Sequence, residues 1–172
     1  RVRNVPLNME SNVTLYPFQE ECMDFLREHS YTGLIALEVG LGKTLVTAQS
    51  LCEVDKGPAL IVAPSSLLYQ WQDELLTHYN KQSNVVTSKV KSGQRLQAMK
   101  DAIDETGIII TNYEFLKTFK NEIQFEFLVL DECQRVKNWN TQTAKTMSQI
   151  PARRVIGLSG TPVENHLGEL YN

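Results

Sequence analysis

No hydrophobic stretch in this 172-residue sequence approaches the roughly 20 residues that a membrane-spanning helix needs. The basic and hydrophobic pattern of a secretory signal peptide is also missing from its start. We therefore expect an intracellular protein with no membrane partner. Because the first residue is Arg1 rather than methionine, we also expect this sequence to be a piece of a longer polypeptide.

Cysteine is scarce, with three residues in the sequence. Cys22, Cys52 and Cys133 are an odd number and show no paired spacing, which argues against a disulfide framework or a zinc site. We expect three buried, free thiols in a reducing compartment. The three histidines are equally scattered, and we expect them to be solvated.

Neither sign of charge is in large excess, since 17 lysines and arginines face 20 acidic residues and the net charge is -3. A dedicated nucleic-acid-binding domain is usually strongly basic, so this balance argues against one. It does not exclude a local strip of phosphate-contacting groups. The length and the 42% hydrophobic content suit one globular domain with a sizeable core.

Short apolar segments are present and alternate with helical patterns. Five of them are apolar throughout, and a weaker one lies at 85–86; the five lie at 34–37, 59–63, 107–110, 127–130 and 155–158. Amphipathic helices are predicted between them, near 17–26, 43–55, 67–79, 96–103 and 144–150. Wholly apolar strands separated by helices predict an α/β fold, with a mostly parallel central sheet and helices on both faces.

A glycine-rich turn directly follows the first apolar segment and consists of Gly40, Leu41, Gly42, Lys43 and Thr44. Glycine allows positive φ, so successive backbone N–H groups can converge on phosphate oxygens. Lys43 would then reach the β- and γ-phosphates of a nucleoside triphosphate, and the Thr44 hydroxyl would bind magnesium. The alternative is an ordinary strand-to-helix turn with a surface lysine.

Polar residues follow each of the five apolar segments, at 38–44, 64–66, 111–114, 131–132 and 159–162. Ligands of parallel α/β sheets bind beyond the carboxyl ends of the strands. We therefore expect these polar residues to meet at one edge of the sheet, beside the glycine-rich turn.

An acidic pair, Asp131 and Glu132, ends the fourth apolar segment. Beside a phosphate loop, Asp131 would orient the magnesium ion and Glu132 would act as general base on the attacking water. The alternative is a simple acidic turn. Ser159 and Thr161, which flank Gly160, carry hydroxyls that could touch both the γ-phosphate region and Gln134; here the alternative is a Ser-Gly-Thr-Pro turn.

Gln19 lies at the start of the first predicted helix. Its side-chain amide offers one acceptor and one donor to an adenine edge. Taken alone, Gln19 is better explained as a surface residue at a helix start, and only its context favours a role with nucleotide.

Together these segments resemble the first motor lobe of the Swi/Snf-type remodelling ATPases, a branch of the superfamily 2 helicase-like translocases. The similar blocks occur in family order and are a glutamine motif at 15–19, motif I at 36–44, motif Ia at 60–71, motif Ib at 109–114, motif II at 131–134, and two hallmark blocks at 135–138 and 158–165 with Leu167, Glu169 and Leu170. Three departures stand out. The segment 37–39 reads Leu-Glu-Val where the family usually has Asp-Glu-Met, Gln134 replaces a histidine, and Glu164 replaces a common glutamine.

The resemblance implies a RecA-like lobe over 15–172 after a lead-in at 1–14, with ATP and Mg²⁺ as cofactors. It implies a translocase that moves on double-stranded DNA once a second RecA-like lobe supplies arginine fingers. We expect the sequence to end before that lobe, so the isolated, monomeric lobe should hydrolyse ATP slowly if at all. The resemblance implies a nuclear location in a eukaryote and a cytoplasmic one in a prokaryote or a virus.

The same resemblance points to a set of non-sequence-specific nucleic-acid contacts. They are hydroxyl, amide and basic groups suited to phosphate, namely Ser65, Ser66, Gln70, Thr111, Asn112, Lys137 and Asn138. Trp71 lies among them, but its place on an apolar helix face favours core packing. Two other functions stay open: a nucleotide-gated scaffold without turnover, and a strand-separating helicase of the same superfamily. A small-molecule P-loop kinase is disfavoured because Leu37 stands where such loops have an earlier glycine.

Overall fold

The computed structural model describes residues 13–116, 122–136 and 142–160. The strands in this part of the chain are β1 (Gly33–Ala36), β2 (Ala59–Ala63), β3 (Asn84–Val85), β4 (Ile108–Asn112), β5 (Phe125–Leu130) and β6 (Ala152–Ser159). The helices are α1 (Pro17–Glu28), α2 (Lys43–Val54), α3 (Leu68–Tyr79), α4 (Arg95–Thr106), α5 (Tyr113–Leu116) and α6 (Gln142–Met147). Every predicted strand and helix has a counterpart of the same type, although the helix predicted near 144–150 spans Gln142–Met147. The one-turn helix α5 and two 3-10 turns, at Ser92–Gln94 and Cys133–Val136, are additions.

The six strands of the described residues form one sheet in the order β1-β6-β5-β2-β4-β3. Every pairing is parallel, so all the carboxyl ends lie at the same edge, which we call the carboxyl edge. The register brings the strand ends level, with Ala36 opposite Ser159, Leu130 opposite Gly157, and Ala63 opposite Asn112. The predicted convergence of polar residues at one edge follows from this register.

Two hydrophobic clusters cover the two faces of the sheet. Alternate residues of β2 separate between them, because successive side chains of a strand point to opposite faces. Ile61 packs in the cluster that contains residues of α1, α2 and α3, whereas Leu60 and Val62 pack in the cluster that contains residues of α4, α5 and α6. This three-layer α/β/α arrangement confirms the predicted fold class.

Helix α1 buries only part of its apolar side chains. Met23 and Leu26 are fully buried, whereas Phe25 is 40% exposed and stacks on His29. The described helices include none that is long and apolar enough to cross a membrane.

Candidate nucleotide-binding and catalytic site

The glycine-rich turn connects the end of β1 to the first residue of α2. Gly40 has a φ of 88° and Gly42 a φ of 77°, in the left-handed region that side-chain-bearing residues rarely adopt. Gly42 is also the residue that caps the amino terminus of α2. Positive φ in both glycines and the start of a helix are the two features that aim backbone N–H groups at an anion.

Lys43 folds back over this turn. Its Nζ donates to the carbonyl oxygen of Leu37 at 2.9 Å and to that of Glu38 at 3.4 Å. The ammonium group is therefore held against the backbone that leads into the turn.

Gly160, at the end of β6, lies beside both Lys43 and Glu132. A Cβ atom placed on Gly160 would be 3.5 Å from Lys43 Nζ and 3.5 Å from Glu132 Oε1. Three separate segments of the chain, after β1, β5 and β6, thus bring a cation, a carboxylate and a side-chain-free position together. This cluster is the candidate catalytic site.

Gln19 occupies an unexpected position behind the turn. Its side chain is 3% exposed, and its Nε2 donates to the carbonyl oxygen of Leu41 at 3.0 Å. Its Oε1 accepts the backbone N–H of Tyr16 at 2.9 Å. Gln19 therefore supports the glycine-rich turn, and the remaining N–H and lone pair of its amide are what an adenine edge could use. Reading of adenine stays a prediction.

Asp131 follows β5 and is 6% exposed. Its Oδ2 accepts the indole N–H of Trp71 at 2.8 Å, and its backbone carbonyl accepts the hydroxyl of Tyr113 at 2.6 Å. Burial raises the pKa of the Asp131 carboxyl and the Glu132 charge adds to this, whereas the Trp71 bond and the Lys43 charge lower it. A nearby cation would favour the ionised carboxylate.

Sequence reasoning placed Trp71 in the core and gave Tyr113 no role. Trp71 is indeed 2% exposed, but its polar atom reaches the site. The available signal was chemical: a buried indole carries an N–H that needs an acceptor.

Glu132 has a φ of 53°, a strained value for a residue with a side chain. Its Oε2 accepts a hydrogen bond from the side-chain amide of Gln134. The other amide atom, Gln134 Oε1, is buried and finds no donor among the described residues. Gln134 thus contacts the candidate general base, a partner that the sequence did not predict.

The residues at the end of β6, Ser159 and Gly160, differ in burial and in what they contact. Ser159 is fully buried and is still paired with Ala36 inside the sheet, whereas Gly160 lies beside Lys43 and Glu132. The contact of the Ser159 hydroxyl with the γ-phosphate region and with Gln134 stays a prediction. Thr161 lies outside the described residues.

The residues present fit a magnesium ion bound mainly through nucleotide and water. The described residues contain no cluster of three or more acidic, histidine or cysteine side chains that could hold a metal ion by themselves. Mg²⁺ bound with nucleotides usually takes only one or two protein oxygens beside phosphate and water. Asp131 and the half-buried Thr44, in the first turn of α2, supply such a sparse set.

Three of the expected nucleic-acid contacts are accessible along the carboxyl edge. Ser65, Ser66 and Gln70 are exposed. Asn112 is nearly buried, and its Nδ2 donates to Ser65 Oγ at 3.0 Å. Asn112 is therefore bonded directly to an exposed residue, Ser65.

Thr111 is a correction to the predicted set. It is fully buried, and its hydroxyl donates to the carbonyl oxygen of Val86 at 2.5 Å. Its place inside β4, between β2 and β3, removes it from the surface and from the candidate contacts. Lys137 and Asn138 lie outside the described residues.

The three cysteines are free, as predicted, but each is half-buried rather than buried. Burial raises the pKa of Cys133, next to the acidic pair, from 9.0 to about 11. Thiolate is the reactive form, so two pKa units should make alkylation of Cys133 by iodoacetamide at pH 8 about 100-fold slower than in the urea-unfolded chain. Peptide mass spectrometry over time measures this ratio. Equal rates in the folded and unfolded chains would contradict the burial of this thiol.

Comparison with known proteins places these features in a family. A sequence profile of the SNF2-related domain matches residues 18–172. The chain is similar to the ATP-dependent helicase rhp16 of Schizosaccharomyces pombe, with 27% identity over 99% of this chain and 22% of that protein. It is similar to helicase ssl-1 of Caenorhabditis elegans, with 33% identity over 86% of this chain and 6% of that protein.

One solved structure extends the likeness to the fold. It is the Sulfolobus solfataricus SWI2/SNF2 ATPase core in complex with dsDNA, which matches with a TM-score of 0.75 and 25% identity over 95% of this chain and 36% of that one. This chain thus spans about a third of that core and between 6% and 22% of the two curated relatives. The match confirms the resemblance seen in the motifs and the RecA-like α/β fold. On the extent of the profile match, the chain belongs to the family of proteins that contain an SNF2-related domain.

Proposed function

We propose that residues 15–172 form the first ATP-binding lobe of a motor that hydrolyses ATP to move along double-stranded DNA. The observation that carries this proposal is the meeting of Lys43 and Glu132 beside Gly160 at the carboxyl edge. Lys43 and Glu132 are 89 residues apart in sequence, and the parallel sheet brings both to one edge beside a glycine-rich turn. A cation and a carboxylate next to such a turn suit a ligand that carries phosphate and is attacked by water.

Each residue of the cluster has a distinct task in this function. The backbone of Gly40 to Gly42 and the Lys43 ammonium bind the phosphates, and Gln19 holds the turn in shape from behind. Magnesium, held through Thr44 and Asp131, would neutralise phosphate charge as the bond breaks. Glu132 orients the water and takes its proton, and the bond from Gln134 fixes where the Glu132 carboxylate points.

The nucleic-acid partner is proposed from the exposed part of the same edge. Ser65, Ser66 and Gln70 carry small polar groups that suit phosphate contacts without base recognition. Lys137 and Asn138 complete the proposed set. The structural relative's description as a core in complex with dsDNA supports a duplex rather than a single strand as the track.

A second lobe of the same polypeptide completes the proposed motor. Its arginines would supply transition-state charge, a contribution on the order of 1,000-fold or more in rate. In a eukaryotic cell we place the motor in the nucleus with its DNA, and in a cell without a nucleus we place it in the cytoplasm.

The test uses the polypeptide that includes both lobes. We expect Mg²⁺-dependent ATP turnover that rises at least tenfold with duplex DNA, together with displacement of a third strand from a triplex but no separation of the duplex. Turnover without triplex displacement but with duplex separation would instead identify a strand-separating helicase. Nucleotide binding with no turnover at any DNA concentration would favour the scaffold function. A two-lobed polypeptide that neither binds nor hydrolyses ATP would overturn the proposal.

A further inference from the structure

Asp131 is held from two sides by aromatic hydrogen-bond donors. The Trp71 indole N–H reaches its side-chain Oδ2 at 2.8 Å, and the Tyr113 hydroxyl reaches its backbone carbonyl at 2.6 Å. One bond fixes the carboxylate and the other fixes the peptide that carries it. Two donors on one residue constrain both its side chain and its main chain.

The Trp71 bond has features of a positioning contact. An indole nitrogen has one N–H and no acceptor, so it can serve only as a donor. The bond is buried and ends on a carboxylate, and such charge-assisted bonds are stronger and shorter than neutral ones. Packing alone would be satisfied by any large apolar ring at this place, but only a donor can hold the carboxylate.

The elements that carry the two donors are themselves fixed to each other. Trp71 lies in the first turn of α3, and Tyr113 is the first residue of α5. The side chain of Asn112 accepts the backbone N–H of Phe115 at 3.1 Å, which anchors α5, and donates to Ser65 just before α3. Asn112 thereby links the start of α5 to the segment just before α3.

We propose that Trp71 and Tyr113 are positioning residues that hold the Asp131 carboxylate in the orientation in which it binds magnesium. This inference rests on the proposed function, because it assigns two residues to its metal ligand. Both groups act through Asp131, which is the partner that their hydrogen bonds show. Their role is to restrict the Asp131 carboxylate to one orientation before the metal binds, so that less conformational freedom is lost on binding.

The decisive experiment titrates Mg²⁺ against binding of a fluorescent ADP analogue to the chain. In Trp71→Phe, we expect the Mg²⁺ concentration at half-maximal effect to rise about tenfold, in the range usual for residues that orient a metal ligand. Binding in EDTA should stay within about twofold of the wild-type value, because no phosphate contact changes. Tyr113→Phe should raise the Mg²⁺ midpoint in the same direction without creating a cavity, since it removes only a hydroxyl.

Tyr79→Phe is the matched control. Tyr79 is a buried aromatic donor on the same helix α3, and its hydroxyl donates to the carbonyl oxygen of Leu45 at 2.9 Å, not to Asp131. We expect this variant to lose stability to urea and to keep the wild-type Mg²⁺ midpoint.

Each outcome decides the inference. Mg²⁺ midpoints that stay at the wild-type value in both Trp71→Phe and Tyr113→Phe would overturn it and leave Trp71 as a core residue only. If Trp71→Phe fails to fold, Tyr113→Phe alone decides. If Mg²⁺ does not change nucleotide binding by the wild-type chain, the proposed function itself is overturned, and the inference with it. The wild-type titration therefore distinguishes failure of the proposed function from failure of the inference alone.

Emission of Trp71 gives a readout that does not depend on affinity. The sequence contains two tryptophans, so Trp139→Phe leaves Trp71 as the sole tryptophan, whose emission is excited selectively at wavelengths that tyrosine does not absorb. We expect the emission of Trp71 to change when Mg²⁺ is added to the nucleotide-bound chain, because its hydrogen-bond acceptor then binds a cation. Unchanged emission at saturating Mg²⁺ would contradict the inference that Asp131 binds the metal while it accepts the Trp71 hydrogen bond.

Discussion

Replacing Glu132 by glutamine is expected to lower ATP turnover by the two-lobed polypeptide by about 100- to 10,000-fold, the usual contribution of a general base. Binding of Mg²⁺–ATP should stay within about threefold of the wild-type value, since Lys43 and Asp131 are unchanged. The physical reason is that an amide has no carboxylate lone pair with which to accept the proton of water at neutral pH. Single-turnover and steady-state assays on the same preparations separate chemistry from binding.

The matched control for this variant is Glu28→Gln. Glu28 is exposed and lies in the last turn of α1, so the same loss of one negative charge occurs outside the cluster. We expect its turnover to equal that of the wild type. A Glu132→Gln variant that keeps more than about a tenth of the wild-type turnover would remove Glu132 from the role of base.

Replacing Gly42 by alanine is expected to damage both the fold and the nucleotide site. The φ of Gly42 is 77°, and a Cβ atom there would lie 2.3 Å from Gln19 Nε2. The left-handed backbone costs about 1–2 kcal/mol with a side chain. Displacing the buried Gln19 amide from its partners adds about 1–3 kcal/mol. We therefore expect a loss of about 2–5 kcal/mol in the free energy of unfolding, and no measurable nucleotide binding.

Alanine variants of two other glycines separate the cost of the left-handed backbone from the cost of displacing Gln19. Gly40 has a φ of 88° but nothing within 4 Å of the Cβ position, so Gly40→Ala should carry the backbone cost alone. Gly93 has neither a positive φ nor a neighbour within 4 Å, so Gly93→Ala should be close to neutral. Urea unfolding of the three variants measures the loss in the free energy of unfolding for each, which we expect to be largest for Gly42→Ala and smallest for Gly93→Ala. Equal losses for Gly40→Ala and Gly42→Ala would show that the Gln19 contact contributes nothing.

The fold could be predicted from the sequence almost completely. Continuous apolar runs such as 59–63 are typical of strands buried on both faces, and the 3.6-residue pattern of α3 marks a helix that covers them. These are local signals, because each depends on the side chains of a few neighbouring residues. The order of the strands was not predicted, since it depends on which runs pair across more than 100 residues of sequence.

The site could be predicted in part. The convergence of polar residues at one edge was correctly expected, because parallel strands deliver their following residues there, and Lys43 and Glu132 both lie near Gly160. The partners of individual polar atoms were not predicted. Ser159 and Thr111 have the same chemistry as the exposed Ser65, and the sequence contains nothing that marks the first two as buried. Burial depends on neighbouring strands, which a local pattern does not specify.

The sequence by itself determined which groups this protein can bring to a nucleotide: two glycines that permit positive φ, one lysine, and an acidic pair at a strand end. These follow from residue types and their spacing. Only the tertiary structure decided how the groups are held, with Gln19 behind the turn, Trp71 on Asp131, and Gly160 between Lys43 and Glu132. The physical reason is that a hydrogen bond needs its two atoms within about 3 Å, and only the packing of the layers brings residues 60 positions apart to that distance.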